Sequence, residues 1–343
     1  MKQLARKNIH RILVRTTNWI GDAVMTTPAL KAIRETFPDA RITIVANPLI
    51  AQLFAFHPDC DEVIEYDRQG RHAGLIGFLR FVDLLRRKKF DCAFLFQNAI
   101  EAALMAFLAG VRSRAGYMTD GRRLLLTHAV PFTDQEKALH HTDYYLHMLE
   151  QCGVTTGDKQ QQLALLPDEV QWAVDNMPRG RYAVINPGAA YGSAKRWIPE
   201  RFAEVADQLA DRYGLSIVLS GGPAEIEIGA DIAKIMQTPH KNVIGKTSVR
   251  QMMAALAGSS LMITNDSGPM HVAAAFAVPM VAIFGPTDHT TTSPWGTRSQ
   301  IVRHAVECSP CMLRQCPIDH RCMQRVTVED VLSAAAALLE DET

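Results

Sequence analysis

Short apolar runs alternate with amphipathic stretches along this chain, and the alternation occurs twice. Arg11–Arg15, Arg41–Val45, Glu62–Glu65 and Cys92–Phe96 read as strands, with helices over Asp22–Phe37, Leu75–Lys89 and Ile100–Ala109. Pro28 starts or kinks the first of these helices. The pattern weakens between Gln151 and Arg181, where Gly153, Gly157, Pro167, Pro178 and Gly180 fall. It then restarts. Tyr182–Ile185, Leu215–Leu219, Leu261–Thr264 and Met280–Phe284 read as strands. Pro199–Tyr213, Ala224–Met236, Val249–Ala257, Met270–Ala277 and Val328–Leu339 read as helices. Strands that alternate with helices build parallel sheets covered on both faces. The expected architecture is therefore α/β, with two Rossmann-like domains in tandem. The expected boundaries are 1–155, a connector over 156–180, 181–326, and a closing helix over 327–343. Such sheets bind ligands at the C-terminal ends of their strands, so the loops there carry the chemistry.

Charge narrows the partners. Lysine and arginine total 36, as do aspartate and glutamate, so the net charge is zero and a general nucleic-acid binder is not expected. The balance is uneven: residues 1–150 carry 20 basic and 16 acidic side chains, net +4, which leaves −4 for the remainder. No apolar run approaches the ~18 residues of a membrane span, and the basic start lacks a signal-type apolar segment. A cytoplasmic protein with reduced thiols or metal-bound cysteines is expected.

Familiar motifs fail on spacing. No G-x-G-x-x-G follows the first strand, and Gly188–Lys195 lacks the Lys-Ser/Thr ending of a P-loop. What remains is a set of loops. Asn18–Asp22 follows the first strand, and Asp22 suits either a general base or a first-turn carboxylate. Asn186–Trp197 joins small residues, Gly188 among them, to Lys195, a combination that suits a phosphate or a solvated loop. Thr264–His271 opens a helix, with Asp266, Ser267, Gly268 and His271 forming either an anion site or an ordinary cap. Ser220–Glu225 is a glycine turn whose Glu225 fits ribose hydroxyls or the helix dipole. Finally Cys308, Cys311, Cys316 and Cys322 lie within fifteen residues, near His304 and His320. Thiols so grouped suit structural zinc or iron–sulfur, or reduced thiols in a compact loop.

Taken in order, these segments resemble glycosyltransferase family 9, the heptosyltransferases. The resemblance rests on Ile12–Arg15, Gly21–Val24 and Thr27–Leu30; on Asn186–Ala189 and Ala194–Trp197; and on Thr264–Ala275 followed by Ala282–Thr287. It implies a GT-B fold whose two domains face a cleft and whose C-terminal helix returns to the first domain. It implies transfer of L-glycero-D-manno-heptose from ADP-heptose to the inner-core heptose of an anionic lipid A–Kdo acceptor. Asp22 matches the catalytic base and Lys195 the phosphate-contacting lysine. Asp266, Ser267, Gly268 and His271 match the pyrophosphate loop. Glu225 falls near the ribose-binding acid, with Glu227 as the alternative. No metal is expected in catalysis, because Lys195 and helix-start N–H groups stabilise the leaving diphosphate. Arg71, Arg122 and Arg123 are the expected acceptor contacts, and the expected location is the inner face of the inner membrane. Rival readings are a family member with another donor or acceptor, a UDP-sugar epimerase, and a non-catalytic nucleotide-sugar-binding protein.

Overall fold

A computed structural model describes residues 3–5, 8–296 and 298–340. The chain divides into two compact units, Met1–Ala164 and Leu165–Thr343. The first contains strands β1 (Arg11–Arg15), β2 (Arg41–Ala46), β3 (Glu62–Glu65), β4 (Cys92–Leu95), β5 (Ser113–Tyr117) and β6 (His128–Val130). The second contains β7 (Tyr182–Asn186), β8 (Ser216–Leu219), β9 (His240–Asn242), β10 (Leu261–Asn265), β11 (Met280–Ile283) and β12 (Ser299–Val302). All ten strand pairings are parallel. The sheet orders are β3-β2-β1-β4-β5-β6 and β12-β11-β10-β7-β8-β9. Numbered within its own unit, each is the Rossmann order 3-2-1-4-5-6, and the strand order reverses between the first and fourth strands.

The central strands are apolar on both faces because helices cover both. In the first unit Leu13, Ala93 and Leu95 point to one side, where Phe81, Val82 and Leu85 of the helix Gly74–Lys88 pack on them. In the second, alternate residues Ala183, Ile185, Leu261, Ile263, Val281 and Ile283 meet Phe202, Val205 and Leu209 of the helix Pro199–Tyr213. Fully burying a side chain of this size contributes about 1.5–3 kcal/mol, so these layers hold each unit together.

Three expectations change. The first helix is two, Ile20–Met25 and Thr27–Thr36, separated at Thr26, whose hydroxyl donates to the Ala23 carbonyl at 2.7 Å. Pro28 opens the second of them, where its missing N–H costs nothing. The stretch read as a connector contains the helix Pro167–Asn176, which packs on the helix Val249–Ala257 and belongs to the second unit. There Glu169 and Arg250 form an ion pair. The closing helix Val328–Glu340 was expected to return to the first unit. Its apolar face (Val331, Leu332, Ala335 and Leu338) is instead part of the second unit's core, against β11, β12 and the helix Pro199–Tyr213. No helix among the described residues is long and apolar enough to cross a membrane.

Candidate active site

In the first unit the switch point lies between β1 and β4. Arg15 ends β1 and is buried. Its guanidinium donates to the carbonyls of Thr16 at 2.9 Å and Val45 at 3.2 Å and to Asn18 Oδ1 at 3.2 Å, fixing the loop that follows. Burial lowers its pKa to about 10, which still leaves it charged at neutral pH. The helix Ile20–Met25 then places Asp22 in its first turn. Asp22 Oδ1 lies 3.0 Å from His141 Nδ1. An ionised carboxylate only accepts, so Nδ1 carries the proton and donates. A cavity of about 450 Å³ opens here, bordered by Asn18, Trp19, Asp22, Asn98, His141 and Tyr144. Asn98 Nδ2 donates to the Tyr144 hydroxyl at 2.8 Å, and burial holds that phenol protonated, with its pKa pushed up to about 12.

Arg122 corrects an expectation. It is wholly buried and does not face an acceptor. Its guanidinium donates to Tyr117 O at 2.8 Å, to Asn98 Oδ1 at 3.0 Å and to the Gln97 carbonyl. The residues after β4 are therefore held in the cavity wall by Arg122. Burial brings its pKa down to about 10, so it too remains a cation. Its neighbour Arg123 is exposed. Arg71 is exposed and ion-paired with Glu65 at 2.5 Å, and it is not among the residues bordering the cavity.

The second unit's switch point lies between β7 and β10, and its loops are tied by polar side chains. Buried Asn265 donates to the Pro187 carbonyl at 2.8 Å and accepts from the Trp197 N–H at 3.0 Å, clamping both ends of the 187–197 loop. Asn186 Nδ2 donates to Thr264 Oγ1 at 3.2 Å and Ser267 Oγ at 3.1 Å. Lys195 Nζ reaches Asp266 Oδ2 at 2.6 Å, and Thr287 donates to the same oxygen at 2.6 Å. The ammonium also lies 4.9 Å from the centre of the Tyr191 ring. Ser267 occupies the N-cap position of the helix Gly268–Ala275 without a side-chain capping bond, the first N–H groups lack helical partners, and His271 sits buried in the first turn. Lysine, hydroxyl and helix start thus gather donors suited to a diphosphate.

Gly188 and Glu225 meet. A Cβ at Gly188 would lie 2.0 Å from Glu225 Oε1, so only glycine admits this approach. Glu225 Oε2 accepts from the Gly222 N–H at 2.5 Å, while Glu227 is exposed on the helix Ile226–Ile235. Glu225 is therefore the acid bordering the Gly188 loop.

The cysteine segment holds the same loop. Arg314 O accepts from Ala194 N at 3.0 Å, and Met312 O accepts from the Tyr191 hydroxyl at 2.7 Å. His320 Nε2 donates to Ala194 O at 2.7 Å. Ser309 and Met312 fasten the segment to the Gly285 and Pro286 carbonyls at 2.5 and 2.8 Å. Cys308, Cys311, Cys316 and Cys322 are all free thiols. Among the described residues no group of three or more His, Cys, Asp or Glu is placed to hold a metal ion, so of the two readings, metal site or reduced thiols, the zinc or iron–sulfur one gains no support.

Sequence reasoning found both loop sets but missed His141, Asn98, Tyr144 and His320 as parts of them. The model of glycosyltransferase family 9 (heptosyltransferase) matches residues 78–321. The chain is 30% identical to lipooligosaccharide heptosyltransferase 2 of Campylobacter jejuni over 96% of this chain and 99% of that one. It is 30% identical to lipopolysaccharide heptosyltransferase 2 of Escherichia coli over 85% and 88% of the two chains. The solved structure of E. coli ADP-heptose lipopolysaccharide heptosyltransferase II superposes with a TM-score of 0.82 at 26% identity, covering 97% of this chain and 99% of that one. Two Rossmann-like units in one chain, Asp22 and Lys195 at their switch points, and these likenesses agree: the chain belongs to glycosyltransferase family 9.

Proposed function

We propose that this enzyme is an inverting heptosyltransferase of the heptosyltransferase II type. It moves L-glycero-D-manno-heptose from ADP-heptose to the inner-core heptose of a lipopolysaccharide precursor. The observation that carries the reading is the contrast between the two switch points. One offers a carboxylate, Asp22, bordering a cavity; the other offers a lysine, hydroxyls and a helix start suited to a diphosphate.

Asp22 accepts the proton of the acceptor hydroxyl as its oxygen bonds to the anomeric carbon. The bond from that carbon to the diphosphate breaks, and ADP leaves with the electron pair. His141 holds the carboxylate by donating from Nδ1 and acts as a positioning residue. Negative charge grows on the leaving diphosphate. Lys195 meets it by exchanging Asp266 for phosphate oxygens, and the N–H groups at Ser267 and Gly268 add fixed donors. His271 borders the same loop. Glu225 accepts from the adenosine ribose hydroxyls beside Gly188. Protein groups supply the charge stabilisation, so the reaction needs no divalent metal. The acceptor is an anionic, lipid-linked sugar at the inner face of the inner membrane. Exposed Arg123 and Arg71 are offered to its phosphates and carboxylates, and nucleic acid is not a partner.

The test is purified enzyme with ADP-heptose and heptosyl-Kdo2-lipid A, read by mass spectrometry. One added heptose and one ADP released per turnover are expected. No transfer with this pair, alongside transfer from another nucleotide-sugar or to another acceptor, would replace the reading with a different family 9 specificity.

A further inference from the structure

The helix Gly74–Lys88 differs from an ordinary surface helix in carrying large apolar side chains on its outer face as well as its inner one. Its inner face is apolar as expected, with Gly77, Phe81, Val82 and Leu85 buried. Its outer face should be polar. Instead Leu75 is 73% exposed, Ile76 68% and Leu79 48%, all within the first two turns, and Leu84 is exposed further along. Large aliphatic side chains grouped in this way mark a surface that meets something other than water.

The surrounding charge says what. Between residues 68 and 89 lie Arg68, Arg71, Arg80, Arg86, Arg87, Lys88 and Lys89 against Asp83 alone, seven positive charges to one negative. Four of these cations pair with carboxylates: Arg68 with Glu101, Lys88 with Glu62 and, at more exposed positions, Arg71 with Glu65 and Arg87 with Asp83. Exposed pairs of this kind contribute only about 0–1 kcal/mol, so they yield readily to another anion. The neighbouring helix Ile100–Leu108 packs beside this one and carries exposed Phe107. The turn Arg122–Leu125 packs on that helix and carries exposed Leu124 next to Arg123. A second copy of the chain would bring the same positive charge against this face. An anionic bilayer matches both of its properties at once, because apolar side chains enter the acyl boundary while arginines and lysines meet lipid phosphates.

We propose that the outer face of Gly74–Lys88 docks this enzyme on an anionic phospholipid surface. Leu75, Ile76 and Leu79 insert, and Arg80, Arg87 and Lys89 contact the headgroups. The inference builds on the reading that the acceptor is lipid-linked, and it adds the surface by which the enzyme reaches it.

The test uses the full chain, with vesicles of phosphatidylglycerol and phosphatidylcholine compared with vesicles of phosphatidylcholine alone. The wild-type protein should cosediment with the anionic vesicles, and the bound fraction should fall as salt rises. A triple variant, Leu75→Ser, Ile76→Ser and Leu79→Ser, alters only exposed side chains and should keep the wild-type melting temperature. Its partitioning should drop about tenfold or more. Arg80→Gln with Arg87→Gln should weaken binding to anionic vesicles and flatten its salt dependence. Turnover of the triple variant should fall on acceptor embedded in vesicles and stay unchanged on a delipidated, water-soluble acceptor. Wild-type partitioning by the triple variant would overturn the proposal. So would a wild-type protein that ignores anionic vesicles, or a triple variant that changes only the oligomeric state by sedimentation. Failure of wild-type transfer to both acceptor forms would instead count against the proposed reaction, leaving the vesicle result to judge the surface alone.

Discussion

The two units share one strand order and differ in what they place at its reversal. In the first, β1 and β4 lead to a cavity where a carboxylate meets an imidazole among amide and aromatic groups, with Glu136 and Lys137 also on its border. In the second, β7 and β10 lead to loops cross-tied by Asn186, Asn265 and the Lys195–Asp266 pair. The shared topology explains why both candidate sites fall at the same place on the sheet. The side chains explain why one suits a hydroxyl that must lose a proton and the other an anion that must leave. Fold alone distinguishes neither, so function resides in four loops.

The comparison predicts a graded set of losses. Asp22→Asn removes the base and should slow turnover by about 10²–10⁴. Lys195→Ala should cost about 10²–10³ in rate through lost charge stabilisation, with weaker donor binding as well. If Lys195→Ala leaves both unchanged, the second unit is not the donor side. Arg122→Met should destabilise the first unit by about 1–3 kcal/mol, since the Tyr117 and Gln97 carbonyls and Asn98 each lose a charged donor. Denaturant melting should show this, together with a raised KM for acceptor, while Arg123→Ala melts as wild type. His320→Ala removes one hydrogen bond to the donor loop, worth about 0.5–1.5 kcal/mol, so ADP should bind roughly two- to tenfold more weakly. His320→Gln keeps an N–H at similar reach and the same backbone requirement, and it should restore binding. Equal affinity in all three proteins would show that the cysteine segment does not position the loop.

The smallest effect is on pH. His57 is buried in the first unit, and burial lowers its pKa. The unfolded chain therefore takes up a proton more readily than the folded one. The neutral-His contribution is present above the unfolded value of about 6.5 and is lost as pH falls below it. His57→Gln should flatten that part of the stability profile, and a profile unchanged by the substitution would remove His57 from the account.

Where the chain is apolar over a whole strand, the sequence was easy to read. β4 is such a run, and β1, β7 and β10 have apolar centres ended by Arg15, Asn186 and Asn265; together they fix where the loops fall. The edge strands β6 and β9 were not legible, because His128–Val130 and His240–Asn242 carry no apolar pattern and are strands only through their neighbours. His141 lies 119 residues from Asp22, and nothing in its local sequence marks the contact. Arg122 and Arg123 look alike as a pair of turn cations; only packing decides that one is buried and the other exposed. The cysteine spacing drew attention to thiols, whereas the segment's contacts to the donor loop run through carbonyls and His320. The closing helix has an apolar face that suits either unit, and its place depends on the pocket left beside β11 and β12. The uneven charge, +4 over residues 1–150, gains a location: residues 68–89, on and around one helix, carry seven cations against one anion, more than the whole excess.

The central claim is that proton removal belongs to the first unit and donor binding to the second. Calorimetric titration of ADP into Asp22→Asn and Lys195→Ala, beside single-turnover rates for both, tests it most directly. The account predicts wild-type ADP affinity with a collapsed rate in Asp22→Asn, and a weakened affinity in Lys195→Ala. Loss of ADP binding in Asp22→Asn, or its full retention in Lys195→Ala, would contradict the division.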